Sequence, residues 1–200
     1  MTAPLPRRFY RRDAVTVARA LLGQRLVRII NGQRLSGVIV EVEAYLGVED
    51  KAAHTFGGRR TPRNETMWGD GGHAYVYFTY GMHHCVNVVT ATTGTPTAVL
   101  LRALEPDAGV DVMYANRPKA RRDTNLCSGP AKLCQALGID RDLDGTDLVT
   151  SDALFIEQLR RRTLPAAKIE QTPRIGIDYA DEWVDKPLRF CIKGNAHVSR

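Results

Sequence analysis

Asn31-Gly32 constrains this chain more than any other pair of residues, because it stands between two segments with strand character. Asn-Gly suits the two-residue turn in which both central residues take positive φ, the turn whose twist matches that of an antiparallel pair. Gln24–Ile30 and Gln33–Tyr45 are therefore predicted to form a hairpin. In the second strand Val38, Val40 and Val42 alternate with Ile39, Glu41 and Glu43, which predicts one aliphatic face and one carrying Glu41, Glu43 and Tyr45. A carboxylate between apolar neighbours is costly unless it is paired or working. For Glu41 the expectation is a surface ion pair. Glu43 differs, because Tyr45 and Leu46-Gly47 follow at once, where the chain turns into a loop holding His54, Arg59, Arg60 and Arg63 among glycines.

The rest of the chain reads as follows. Residues 1–12 form an arginine-rich arm, and Asp13 caps a helix running to Leu22 that Gly23 stops. Loop extends from Leu46 to Gly72, and strands follow at about 73–80, 83–91 and 97–104, with Tyr80-Gly81-Met82 turning between the first two. Pro106 begins a mostly helical region. Ser128-Gly129-Pro130 starts a short helix that Gly138 ends, and Arg160–Arg162 with Pro165 mark a loop. Late strands are expected at Pro173–Ile177 and Leu188–Lys193, with a helical turn at Glu182–Val184 between them. Residues 1–200 thus read as one α+β domain: a mostly antiparallel curved sheet with flanking helices and a protruding β-hairpin.

Charge is unevenly spread. The net charge is +6, but residues 1–63 hold twelve basic and five acidic side chains, and residues 64–200 hold sixteen and seventeen. A basic amino-terminal third suits a polyanionic partner, with solubilisation of a tail as the plainer alternative. No apolar run has the length of a membrane span or follows the basic start as a signal peptide requires, so a cytoplasmic protein is expected. Four scattered cysteines fit buried, reduced thiols. The Cys127-x6-Cys134 spacing imitates the start of an iron–sulfur motif, but Leu137 and Leu143 stand where further cysteines are needed. Asp140, Asp142, Asp144 and Gly145 imitate a calcium loop whose twelfth position is Ser151 rather than glutamate. His83 and His84 are adjacent on a strand and point to opposite faces, a poor metal pair. No metal and no cofactor is expected.

The run EVEAYLGVEDKAAHTFGGRRTPRN, residues 41–64, resembles the opening motif of the alkyladenine (3-methyladenine) DNA glycosylase family. YVYFTYGMHHCVN, VLLRALEP, CSGPAKLCQALGI and KPLRFCIKG resemble the later motifs in order, over most of the chain. The resemblance implies a monomeric enzyme that acts on double-stranded DNA at the nucleoid. It extrudes an alkylated or deaminated purine, of 3-methyladenine or hypoxanthine type, and hydrolyses its N-glycosidic bond to leave an abasic site. It implies Glu43 as general base and Arg102 as the arginine that helps position water and a phosphate. Tyr45, His54 and Tyr77 surround the flipped base, and Asn87 lies against the purine edge and disfavours an exocyclic amino group. Tyr80 fills the vacated space with Met82 beside it. Arg59, Arg60, Arg63, Ser128 and Lys132 meet phosphates. Tyr75 is assigned to the core, alternating away from Tyr77. His83-His84 replaces bulkier aromatic neighbours found after the wedge in some relatives.

No lysine has the motif context of a Schiff-base nucleophile, so hydrolysis without strand nicking is expected. The His-x-Glu and Pro-Cys-x-x-Cys pattern of zinc deaminases is missing from the sequence. A lesion-sensing DNA-binding protein without activity is the main rival. A small-molecule carbon–nitrogen hydrolase is a third reading, one without steep salt dependence on DNA.

Overall fold

A computed structural model describes residues 3–79 and 81–199. Its frame is a curled antiparallel sheet. The strands are β1 (Arg25–Ile30), β2 (Gln33–Tyr45), β3 (Ala74–Thr79), β4 (His83–Thr90), β5 (Thr97–Ala108), β6 (Leu154–Glu157), β7 (Ile169–Thr172) and β8 (Arg189–Ile192). They run in the order β3-β4-β5-β2-β1-β6, with β8 pairing both β2 and β7. The helices are α1 (Arg7–Tyr10), α2 (Ala14–Leu21), α3 (Val110–Asn116), α4 (Asp123–Leu126) and α5 (Pro130–Leu137). Among the described residues no helix is long and apolar enough to cross a membrane.

Local signals act as expected where they are strong. Asn31 and Gly32 take φ of 51° and 73°, the turn that Asn-Gly favours, and they set the β1–β2 register from Ile30↔Gln33 onward. The Asp13 carboxylate accepts the Thr16 N–H at 2.8 Å and caps α2, which buries Val17, Ala18 and Leu21. Pro130 opens α5, and Gly138 closes it in the left-handed region. All four cysteines are buried free thiols.

A paired irregularity at the centre of the sheet positions the site. Between β2 and β5 the register runs Ile39↔Leu104, Glu41↔Ala103, Val42↔Leu101, so Val40 and Arg102 each stand as an extra residue. A bulge reverses which alternate residues face the core. On β2 the main core takes Leu35 and Ile39 before it and Val42 and Ala44 after it. On β5 the core takes Val99 and Leu101 before it and Leu104 after it. The continuous aliphatic face expected of Val38, Val40 and Val42 therefore does not form, and Val38 is partly exposed. Past the bulge Glu41, Glu43 and Tyr45 share the opposite face with Leu100 and Arg102, as the alternation after Val40 requires.

Five further readings differ from the structure in whole or in detail. Residues 3–12 are not a free arm: Leu5 and Tyr10 are fully buried, Arg7 Nη1 donates to the Gly71 carbonyl at 2.8 Å, and Arg11 pairs with Asp70. Pro106 does not end β5, because β4 covers that strand only as far as Leu100 and the missing N–H lies beyond it. β6 was not expected; four residues are too short for periodicity to identify. The late strand lies at Ile169–Thr172 rather than Pro173–Ile177, and Pro173 follows it directly. The helical turn expected at Glu182–Val184 is a single 3₁₀ turn at Asp181–Trp183.

Candidate active site

Glu43 pairs across β2 with Leu100 of β5 on one side and Arg189 of β8 on the other. Its carboxylate is fully buried. Oε1 accepts the backbone N–H of Ile175 at 2.8 Å and lies 3.2 Å from Arg102 Nη1. Oε2 accepts the Tyr45 hydroxyl at 3.0 Å. Tyr45, Arg102 and Ile175 all line one cleft. Glu43 therefore stands one side chain behind the cleft wall.

Arg102 is held from behind by Glu41. Its Nε donates to Glu41 Oε1 at 2.8 Å, Arg189 Nε donates to the same oxygen at 2.7 Å, and the Ser199 N–H reaches Oε2 at 2.6 Å. The surface ion pair expected of Glu41 is thus a fully buried hub. Burial alone pushes its carboxyl up, but the Ser199 N–H, Arg102, Arg189 and the Ser199 hydroxyl outweigh that and hold it below the ordinary value. Two carboxylates and two guanidinium groups share the cluster, so its formal charges cancel.

The cleft walls are aromatic. His54 and Tyr77 meet edge to face with centroids 4.6 Å apart, and Tyr75 lies 5.4 Å from Tyr77 at 32°. Tyr75 is buried, as expected, in a core cluster with Met67, Val89 and Ala98, but it does not point away from Tyr77: the two rings pack together and both line the cleft. Residues i and i+2 of a strand share a face, so the spacing itself carries this signal. The Tyr75 hydroxyl lies 2.8 Å from His54 Nδ1. Burial pushes the His54 imidazole down to about 4, helped by the positive charges of Arg63 and Arg59, so the ring is neutral at physiological pH. Burial likewise raises the phenols of Tyr45 and Tyr77, so both remain protonated. Asn87 is buried and lines the same cleft, with Nδ2 donating to the Tyr75 carbonyl at 3.1 Å.

Met82, in the turn between β3 and β4, is 71% exposed. Tyr80 lies outside the described residues. Arg59 is exposed, and Arg60 is paired with Glu65 and lies over the Trp68 ring. Arg63 donates to the Phe78 carbonyl at 2.9 Å. Ser128 bridges Ala103, one residue beyond Arg102, and Lys132 Nζ donates to Asn125 Oδ1 at 2.8 Å. Ser128 and Lys132 line a separate polar cavity with Arg121 and Arg122, two cations that sequence motifs did not single out. Ile175 was likewise missed, because its contribution is a backbone N–H.

Residues 8–196 match the family described as Methylpurine-DNA glycosylase. A protein of Bacillus cereus strain AH187 is 50% identical over 202 residues, spanning 98% of each chain. A protein of Bacillus cereus strain G9842 is 51% identical and one of Bacillus anthracis strain CDC 684 is 50% identical, each over the same span. All three carry the provisional name of 3-methyladenine DNA glycosylase. These matches define an enzyme of the DNA glycosylase class. The chain belongs to the methylpurine-DNA glycosylase family.

Proposed function

We propose that this enzyme is a monofunctional glycosylase that removes alkylated or deaminated purines, of 3-methyladenine or hypoxanthine type, from double-stranded DNA. It works as a monomer on nucleoid DNA and leaves an abasic site. The observation that carries this reading is the pairing of Glu43 with Arg102 immediately behind a cleft walled by Tyr45, His54 and Tyr77.

The geometry supports the following course. A purine turned out of the duplex enters the cleft, and stacking on its aromatic walls offsets the cost of unstacking, at roughly 1–3 kcal/mol per base. An alkylated, cationic purine gains further from the π faces. Asn87 lies against the purine edge. Tyr80 fills the gap left in the duplex, and exposed Met82 beside it supports the wedge. Arg59, Arg60 and Arg63 on one side, and Ser128 and Lys132 on the other, meet backbone phosphates, with Arg60 exchanging Glu65 for phosphate.

Glu43 takes a proton from a water beside the anomeric carbon. The water oxygen bonds to C1′ as the C1′–N bond breaks and its electron pair leaves with the purine. The carboxylate also stabilises positive charge developing on the sugar, and Arg102 orients both carboxylate and water. A duplex carrying one labelled 3-methyladenine or hypoxanthine tests the reaction. Free base should be released, with strand cleavage only after hot alkali. Tight binding of the lesion without base release would favour the lesion-sensing rival.

A further inference from the structure

Three residues with no assigned role back the Glu43 carboxylate, Asp50 from the loop after β2 and Arg174 and Ile175 from the segment after β7. The side chains of Arg174 and Asp50 are completely buried. They form a two-pronged pair, Nη1 to Oδ2 at 2.6 Å and Nη2 to Oδ1 at 2.8 Å. Asp50 also accepts the N–H groups of Leu46 and Ala52, each at 3.0 Å, so all four of its lone-pair positions are used. Arg174 Nη1 donates in addition to the Ala44 carbonyl at 3.0 Å, which ties it to β2 at the residue before Tyr45.

A buried pair of this kind contributes little net stability compared with an apolar substitute, so its value must lie in what it orients. Two things are oriented here. The Arg174 guanidinium lies 4.7 Å from the centre of the Tyr45 ring, and the next residue, Ile175, directs its N–H at Glu43 Oε1. Tyr45 in turn donates to Glu43 Oε2. One arginine therefore governs a donor to each oxygen of the carboxylate.

We propose that Arg174 and Asp50 are positioning residues for hydrolysis, holding Ile175 N–H and Tyr45 so that Glu43 presents Oε2 as its proton-accepting oxygen. Oε1 is occupied by Ile175 N–H and Arg102 Nη1, whereas Oε2 has only the tyrosine hydroxyl. This rests on the reading of Glu43 as the base.

Lysine keeps the charge of Arg174 but loses the two-pronged geometry and the flat face over Tyr45. Proline at position 175 removes the N–H while leaving the buried pair in place, and the Ile175 side chain is 44% exposed. Single-turnover excision and DNA affinity are measured for R174K and I175P, each alone and combined with E43Q. A small misplacement at a reacting centre costs on the order of 10²-fold, so each single variant is expected to be roughly 10- to 100-fold slower. DNA affinity should stay within about threefold of the parent, and neither change should slow E43Q further, as for residues acting through one group.

Wild-type excision by both variants overturns the proposal, and so does an equal slowing in the E43Q background, which marks a general structural effect. If R174K fails to fold, I175P carries the test. Wild-type excision by E43Q alone removes the base assignment itself, a different failure.

Discussion

Arg102 and Glu43 meet across the central strand pair with Nη1 3.2 Å from Oε1, and the register slip that makes Arg102 an extra residue is what brings them together. Arg102 also holds Glu41, so the sheet centre contains a neutral cluster whose one face borders the aromatic cleft. The proposed chemistry and the stability of the sheet therefore share side chains at this point, and substitutions separate them by which partner they leave unpaired.

Glu41→Gln tests the structural half. Removing one member of a buried ion cluster leaves uncompensated charge and costs about 3–5 kcal/mol. Urea unfolding at neutral pH should show a loss of that order. Because the folded protein holds the Glu41 carboxyl below its ordinary value of 4.5, its contribution is fully present above that pH and is lost as pH falls through the folded value. The gap between wild type and E41Q should close in acid. A gap independent of pH would assign the loss to packing instead.

His54 should stay neutral well below the range of an ordinary histidine. Its imidazole is held at about 4 by burial and then by Arg63 and Arg59, so NMR titration should show little protonation at pH 5.5. Stability contributed by the neutral ring is complete above 6.5 and falls as pH drops towards 4. Arg63→Ala removes a repelling charge and should raise the midpoint only in part, since burial is the larger cause. A midpoint above 6 in the wild type would contradict this environment.

Tyr77→Ala removes a half-buried ring from the cleft wall. Loss of one base-stacking surface is worth roughly 1–3 kcal/mol, about five- to 160-fold in preference for lesion over undamaged duplex. Competition binding with the two duplexes measures it. An unchanged preference would remove Tyr77 from base recognition.

Lys132→Ala should weaken binding to damaged and undamaged duplex alike and reduce the slope of log affinity against log salt by about 1. Its ammonium shares a basic cavity with Arg121 and Arg122. A selective effect on damaged DNA would place Lys132 in lesion recognition instead of phosphate contact.

Short-range features of this fold were legible in the sequence, and long-range ones were not. Asn31-Gly32 and Asp13 act through neighbours within three residues, so their turn and cap could be read directly. The slip at Val40 and Arg102 depends on how two distant strands settle, and no local pattern reports it. Motif resemblance brought Glu43, Tyr45, His54, Tyr77 and Asn87 together, and the structure gathers Tyr45, His54, Tyr77 and Asn87 on one cleft with Glu43 just behind. Burial of Tyr75 was legible but its place on the cleft beside His54 was not, and the Ile175 N–H was not legible because a backbone donor leaves no trace in residue identity.

In the proposed reaction the Glu43 carboxylate takes the proton from water. Single-turnover excision of a methylated purine by Glu43→Gln, measured beside duplex affinity, tests it most directly. Loss of a general base typically costs 10²–10⁴-fold, so excision should slow by about that factor while affinity is retained. Excision at the wild-type rate would contradict the account.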